Sequence, residues 1–566
     1  MKDWKGMDAT PAASRGGAWL EQVQALAAVL LPFCLLVGTG LTSLNFGAHW
    51  DEHDQFIRPV EKSIETETLL PFQYYYPSLG YLISMVVLTP HVVSPPPLDS
   101  SDPINLASSH APLKKRVLQA VRSERYHLQL RGTFLMISSL AVVWVFLLVR
   151  HWRHSIFEAF LASSFLALSW EVSYHLRWLA TDGVVMQFGA LVGLLTILAQ
   201  LGKGPPRTLL AAAAVAGLAT GTKYTAGALI LPVCVAAWYG IGSDRLSSVR
   251  VCYGWIFAVF AGTYLVTTPG MLLQPVLFVQ TLAVVANAYI GWNGYTHGGY
   301  HVSGLADHLS KMLEYFGLVL FSTKPALSLA VFGLILVGTL SLLKNDRRTA
   351  TVFLCFPISY VLYFATRQTM IVRNLLVLVP FFSVVAARGF MCVWMLSLTG
   401  TKREEARWRY ALMATRLLSV LFVVAYVSFN SYWLVYAAES VRDRGSTRFL
   451  EEASAYLNAE QKKTVYVTRN VREALLPVGL VSQRFTRTLD DADLIVFWMK
   501  KDGFQRWQDW PVNRRNILYR QFGPYEVNLN YYLTWVGDDR ILVMKKPEAE
   551  KTKVLDWLRR SAPGSE

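Results

Sequence analysis

Three carboxylates and two imidazoles stand in a single run, Leu44-Asn45-Phe46-Gly47-Ala48-His49-Trp50-Asp51-Glu52-His53-Asp54, directly after the first apolar stretch of the chain. A charge at the centre of a bilayer costs roughly 2.5–3.5 kcal/mol, less toward the interface, so scaffolding alone does not call for such a cluster. On a helix Asp51 and Glu52 point about 100° apart, whereas Asp51 shares a face with Asp54, and His49 with His53. A carboxylate at a partly dry interface has its pKa raised by desolvation, which suits a general base drawing a proton from a hydroxyl. The plainer use of the same residues is acid placed at a helix N-terminus for its dipole.

A second acid, Asp182, falls in Tyr174-His175-Leu176-Arg177-Trp178-Leu179-Ala180-Thr181-Asp182-Gly183, where one apolar stretch ends and the next begins. By itself it could be only an N-cap, and Arg177 only a snorkelling anchor. Lys223-Tyr224 and the pair Arg367 and Arg373 stand at two further stretch ends. An anionic lipid-linked substrate needs this mixture, with cations for a phosphate and a carboxylate for a departing proton. Tyr76, Asn293 and His297, in two longer loops rich in aromatic and hydrogen-bonding groups, are candidates for touching a sugar or headgroup.

The elements that must position these residues are membrane helices. Of 566 residues 53% are hydrophobic and 16% charged, against about 25% charged in a soluble domain. Apolar stretches recur at 23–46, 133–149, 156–170, 183–201, 209–219, 226–239, 251–266, 326–343, 351–365, 375–387 and 412–435. With about 20 residues needed per crossing, the expectation is a polytopic α-helical membrane protein of about eleven transmembrane helices. No small-x-small cleavage site follows the first stretch, which is too long for a signal peptide. The five cysteines lie in or beside apolar stretches, so no disulfide framework is expected.

Short basic loops, Arg150 to Arg153, Lys203 to Arg207, Arg245 to Arg250, Lys344 to Arg348 and Lys402 to Arg416, recur on alternate turns. The positive-inside rule gathers them on the cytoplasmic face if 48–131 is one long outer loop. The net charge of +15 is then a topology signal and an affinity for anionic membrane lipids, with no nucleic-acid partner. Lys114-Lys115-Arg116, Arg122, Arg125 and Arg131 conflict with this; a basic amphipathic helix on a phosphate-rich surface accommodates them. Within that loop 52–66 reads as a polar helix, Pro71 to Pro77 as an aromatic turn and 81–88 as an interfacial helix; were 81–93 to span, every later loop would change side.

The expected organisation is an N-terminal cytoplasmic tail, 1–21; a membrane module, 22–437, with outer loops at 47–131 and 268–310; and an extracytoplasmic small α/β domain, 438–566. In the last, 447–457 reads as a helix, 464–468, 494–498 and 541–544 as strands, and 504–510 as a further helix. It has no phosphate-cradling glycine loop and is given no chemistry.

The acidic pair after the first stretch, Arg177 with Asp182, Gly217-Leu218-Ala219-Thr220-Gly221-Thr222-Lys223-Tyr224, Arg373-Asn374-Leu375-Leu376-Val377-Leu378-Val379-Pro380, and Asp443-Arg444 followed by Leu457-Asn458 resemble the C-type (GT-C) superfamily of membrane glycosyltransferases. The branch is that of protein O-mannosyltransferases and lipid A aminoarabinose transferases, and the resemblance spans residues 20–460. It implies a bacterial, multi-pass inner-membrane enzyme. Such an enzyme transfers a sugar, with inversion, from a polyprenyl-phosphate donor to a lipid, glycan or protein acceptor on the extracytoplasmic face. Carried over, Asp51 matches the essential first-loop acid and Asp182 the second-loop acid, with Glu52 and Asp54 in secondary positions. Lys223 and Arg373 match cations that contact phosphate, and Arg177 and Tyr224 accompany them. Tyr75-Tyr76-Pro77 departs from the acid-lysine-proline of aminoarabinose transferases, and Arg373-Asn374 from the usual Arg-Tyr, so the phosphate contacts are expected to be arranged differently. No cofactor is implied with certainty; some relatives hold a divalent metal, for which Asp51, His53 or Asp182 would be the ligands.

Two other readings compete. His49-Trp50-Asp51-Glu52-His53 fits H-x-x-E-H, an inverted zinc-protease pattern with two imidazoles able to share a metal, though no third ligand stands out downstream. A lipid or solute transporter, or a scaffold, would place its polar groups and broken helices near the midplane, whereas here the charges gather at stretch ends.

Overall fold

The computed structural model describes residues 15–45, 52–93, 111–202, 207–241, 246–290, 302–399, 406–441, 448–460, 463–467, 475, 480, 485–486, 491–499, 518–522, 525–527, 534–536 and 540–545. His49 and Asp51, the segment holding Asn293 and His297, and the expected 504–510 helix lie outside them. The chain separates into two compact units, one of 1–41 with 54–435 and one of 42–53 with 436–566.

Every expected apolar stretch falls on helix, and the chain is a polytopic α-helical membrane protein. Among the described residues seven helices are long and apolar enough to cross a bilayer: Trp19–Thr42, Glu124–Arg153, Thr181–Gln200, Pro325–Asn345, Arg347–Ala365, Val372–Leu396 and Leu412–Glu439. The other expected spans are shorter apolar helices, Ile156–Ala167, Thr208–Thr220, Tyr224–Gly240 and Cys252–Thr267. Two of them end for visible reasons. After Ile156–Ala167 the Ser169 side chain caps a new short helix, Trp170–His175, as serine does at helix starts. After Thr208–Thr220 the backbone of Lys223 is extended, with φ −154° and ψ 128°.

The surfaces match a lipid solvent. Leu417, Leu418, Leu421 and Val424 are exposed on one long helix, and Leu336 and Leu340 on another, positions that an aqueous protein would cover with polar groups. Contact between helices relies on small residues. Pro325–Asn345 packs on Val379–Thr399, and a Cβ at Gly338 would collide with the Val385 carbonyl, one at Gly389 with the Leu334 carbonyl.

The segment before Glu124–Arg153 is folded. A π-turn at His53–Ile57 leads into the helix Arg58–Thr66, followed by Leu79–Val93 and Ala111–Arg122. Phe56, Val60, Tyr81, Val121, Tyr126 and Phe134 form one buried core with Leu179 and Val184. The basic amphipathic helix expected to carry Lys114 to Arg131 is two helices, because Ser123 ends the first and caps the second through the Tyr126 amide. Two of the basic residues that strained the topology have carboxylate partners: Arg122 Nε donates to Glu61 Oε1 at 2.7 Å, and Lys114 Nζ to the Glu65 carbonyl at 2.7 Å and Glu67 Oε1 at 3.1 Å.

In the second unit the helix Arg448–Ala459 packs on a five-stranded sheet of order β2-β1-β3-β7-β4. Its strands are β1 Val465–Val467, β2 Phe485–Thr486, β3 Leu494–Met499, β4 Leu518–Phe522 and β7 Arg540–Lys545. The β1 strand runs parallel to β2 and β3, and β7 antiparallel to β3 and β4. β5 Tyr525–Val527 and β6 Thr534–Val536 form a separate antiparallel pair. The three expected strands lie at β1, β3 and β7; β2 and β4 to β6 were not anticipated.

Because a backbone carbonyl cannot step aside, Gly338→Ala is expected to destabilise by about 1–3 kcal/mol or more and to lower the unfolding midpoint in detergent. Gly333→Ala, where an added Cβ meets open space, is the control and should leave the midpoint unchanged.

Candidate active site

Four segments far apart in sequence deliver the site, each at an irregular entry to a helix. Ala180, with φ −128° and ψ 130°, is the N-cap of Thr181–Gln200, so Asp182 lies within the first turn and is not the cap. A first-turn acid complements the helix dipole, but its side chain is engaged across the fold. Lys223 Nζ donates to Asp182 Oδ1 at 2.5 Å and to Asn374 Oδ1 at 2.5 Å. Arg373 Nε lies 3.8 Å from Asp182 Oδ2. Asp182 is 4% exposed and Lys223 5%, so the pair is shielded from water and weakly screened.

Tyr76 completes the group from the aromatic turn. Arg373 Nη2 donates to its hydroxyl at 3.4 Å, and Lys223 Nζ stands 6.0 Å from the centre of its ring, within reach of a cation–π attraction. The Arg373 guanidinium also lies over the Trp178 ring at 5.3 Å. Two acids and several cations were expected to meet here; among the described residues one acid, Asp182, meets two cations, Lys223 and Arg373.

The other candidates are placed differently. Tyr224 turns away from the cations and donates to the Tyr74 carbonyl at 2.8 Å. Arg177 is buried over the Trp170 ring at 5.5 Å and donates through Nη2 to Ser173 Oγ at 3.2 Å. Burial pulls its guanidinium down to about 10, which leaves it charged at neutral pH. Glu52 is buried and His53 exposed, both in the second unit; of Asp54 only the backbone is described.

Residues not assigned a site role from sequence, Asn374 noted there only as a departure from Arg-Tyr, hold the site in place. Asn374 takes the Lys223 amine and donates through Nδ2 to the Tyr289 hydroxyl at 3.2 Å. Tyr360 donates to the Asn374 carbonyl at 3.0 Å, and its ring rests on a ladder of Phe356, Phe364 and, through Phe356, Phe381. The segment before Arg373 is pinned by backbone pairs, Val302 to Gln368 at 3.0 Å and Gln368 to Tyr289 at 3.2 Å, and by His308, whose Nδ1 donates to the Arg367 carbonyl at 2.9 Å. The aromatic turn is fastened by Tyr74 to Gln274 at 2.6 Å and by the Leu79 amide to the Gly221 carbonyl at 2.8 Å.

The donor set does not suit a divalent ion among the described residues. Asp182 is the one carboxylate of the cluster, and both its oxygens face cations. No group of three metal-ligating side chains occurs among those residues. What the cluster can do is contact an anion, since two cations stand close together in a water-poor setting beside hydroxyl donors.

No known family profile and no curated protein matches the chain. Among solved structures it is similar to ArnT from Cupriavidus metallidurans in the apo state, at 10% identity and TM-score 0.46, covering 94% of this chain and 98% of that one. It is also similar to ArnT bound to undecaprenyl phosphate, at 11% identity and TM-score 0.45, covering 93% of this chain and 98% of that one. A third is the oligosaccharyltransferase AglB from Archaeoglobus fulgidus with an inhibitory peptide and a dolichol-phosphate, at 12% identity and TM-score 0.45, covering 82% of this chain and 60% of that one. Likeness at this level carries nothing about the chemistry of this chain, which rests on its own residues.

Asp182→Ala would leave Lys223 and Arg373 buried without their carboxylate, and breaking a buried pair from one side costs about 3–5 kcal/mol; the unfolding midpoint in detergent should fall accordingly. His308 adds a pH dependence. Burial holds its pKa below the ordinary value, so the unfolded chain binds that proton more readily than the folded one. Stability should therefore fall as pH drops below about 6.5, and His308→Asn should flatten that part of a stability profile.

Proposed function

We propose that the chain is an inverting membrane glycosyltransferase. It would move a sugar from a polyprenyl-phosphate donor to an acceptor hydroxyl on the extracytoplasmic face. The observation that carries this reading is the buried Asp182–Lys223–Arg373 cluster, which brings two cations together in a water-poor setting. It suits a lipid phosphate, and Asp182 holds both cations in position. The sequence resemblance around Asp51, Lys223 and Arg373 points the same way.

Orientation follows from the two ends of the helices. Glu124–Arg153 closes on Arg150 and Arg153; Arg150 pairs with Glu21, Trp152 Nε1 donates to Asp346, and Arg348 to the Tyr239 carbonyl. Thr181–Gln200 begins at the cluster and ends with Gln200 donating to the Ala236 carbonyl. Arg150, Arg153 and Arg348 thus lie at the end opposite the cluster, which supports an extracytoplasmic site under the positive-inside rule.

In the reaction the acceptor oxygen forms its bond to the anomeric carbon as the bond from that carbon to the phosphate oxygen breaks. Asp51 takes the hydroxyl proton. Lys223 and Arg373 stabilise the charge growing on the departing polyprenyl phosphate, and Tyr76 and Tyr289 hold the Arg373–Asn374 segment by hydrogen bonds. Lipid, glycan and protein acceptors are each compatible with this step. The small α/β domain, 438–566, is proposed to lie on the same face.

Asp51→Asn is expected to lower turnover of a polyprenyl-phosphate sugar by about 10²-fold or more with expression and unfolding midpoint near wild type. Unchanged turnover refutes the role of Asp51. Lys223→Ala should chiefly weaken use of the donor, read as a raised KM for donor against an unchanged KM for acceptor.

A further inference from the structure

Arg177 is buried in a way that the cluster does not explain. It is 3% exposed, too deep to snorkel to a headgroup. Its guanidinium meets only neutral groups: the Trp170 ring at 5.5 Å and Ser173 Oγ, to which Nη2 donates at 3.2 Å, while Nε is buried without a hydrogen-bond partner. Among the described residues no carboxylate pairs with it. Glu171, on the same short helix, accepts from the Tyr315 hydroxyl at 2.9 Å and faces His175 at 3.5 Å, and Asp182 faces Lys223 and Arg373.

A charge buried without a counter-ion is strongly disfavoured, and breaches of that rule gather at functional sites. Arg177 is also held firmly beside the site. Its amide bonds to the Tyr174 carbonyl at 3.3 Å, and the helix behind it is capped by Ser169, whose hydroxyl donates to the Leu320 carbonyl at 2.6 Å. The next residue, Trp178, lies under the Arg373 guanidinium at 5.3 Å. A tryptophan ring and a few side-chain bonds therefore separate this cation from the two that meet Asp182.

We infer that Arg177 sets the affinity of the site for anions through its field, as a fixed positive charge that attracts a phosphate group to Lys223 and Arg373 without touching it. The assignment rests on the reading of that cluster as a phosphate contact and deepens it by adding a specificity-determining residue. A carboxylate on Arg177 would cancel most of its field beyond the pair. Set against a hydroxyl and a tryptophan face instead, the charge acts through apolar protein, where salt screens it little. For unit charges about 10–20 Å apart at an effective dielectric of about 20, the attraction corresponds to about fourfold to sixteenfold in affinity.

The test compares binding of farnesyl phosphate and of farnesol, its uncharged twin, to the full chain in nanodiscs of neutral lipid. Arg177→Met removes the charge and keeps much of the bulk. It should bind farnesyl phosphate about fourfold to sixteenfold more weakly than wild type and bind farnesol unchanged. Its unfolding midpoint should not fall, because an apolar side chain replaces an unpaired buried charge. Arg177→Lys should keep most of the phosphate affinity. Ser173→Asp keeps the arginine but sets a carboxylate where Nη2 now donates. It should weaken farnesyl phosphate binding in the same way without lowering the midpoint, and it decides the matter if Arg177→Met fails to fold. Full phosphate affinity in whichever of these two variants folds would overturn the inference, since the charge would then have no role. Equal loss of farnesyl phosphate and farnesol would overturn it too, by making Arg177 a packing residue. No binding of farnesyl phosphate by the wild-type chain would overturn the reading of the cluster together with the inference. Charge-dependent binding by a chain with no sugar transfer would overturn the proposed reaction alone and leave the role of Arg177 standing.

Discussion

The ion pair between Asp182 and Lys223 is the constraint around which the described part of the site is arranged. Each charge alone would be costly to bury, and the pair is helped by the groups around it. Asn374 accepts a hydrogen bond from the lysine, and Arg373 lies within ion-pair distance of the aspartate. Asn374 is in turn fixed by Tyr360 and Tyr289. A polar knot therefore ties the starts of several helices at one level, where packing among apolar side chains alone would let them slide.

The same economy explains the broken helices. The Lys223 amide still closes on the Ala219 carbonyl, but a chain continuing helically past it would carry the side chain around the helix axis. The extended backbone there, and the short 3-10 turn at Val372–Leu378, let the two cations reach inward from different directions. Irregular backbone at membrane depth persists only where protein satisfies it, and here hydrogen bonds among neighbouring segments do so.

The apolar stretches were legible because hydrocarbon leaves its mark on composition. Asp182, Lys223 and Arg373 were legible as charges at stretch ends, and the structure brings those three together. Arg177 carried the same signal yet faces Trp170, because the sequence marks which residues are costly to bury but not which way a turn rotates them. Asn374, Tyr360 and Tyr289 were invisible as partners, since an amide or phenol within an apolar run looks like ordinary filling until its neighbours are known. That Arg177 is buried without a carboxylate gave no signal at all: such a lack exists only as a relation among folded segments. The basic stretch near Lys114 was the opposite case. Its charge was plain and its partners were not, and Glu61, Glu65 and Glu67 account for part of it without any lipid.

The fastening of the aromatic turn bears on how this loop survives attack. Proteases need an extended, accessible stretch of several residues, which exposed loop tips usually offer. At its end the turn is tied by the Ser78 and Leu79 amides to Thr268 and Gly221, the Tyr74 carbonyl accepts from Tyr224, and Tyr74 is fully buried against the helix that starts at Gly270. Leu69, by contrast, is largely exposed just after the helix Arg58–Thr66 ends in a left-handed Glu67. Limited digestion of the folded chain would therefore nick the loop near Leu69 and spare the tyrosines behind it, so that Tyr76 keeps its place beside Arg373 after the link that leads to it is cut.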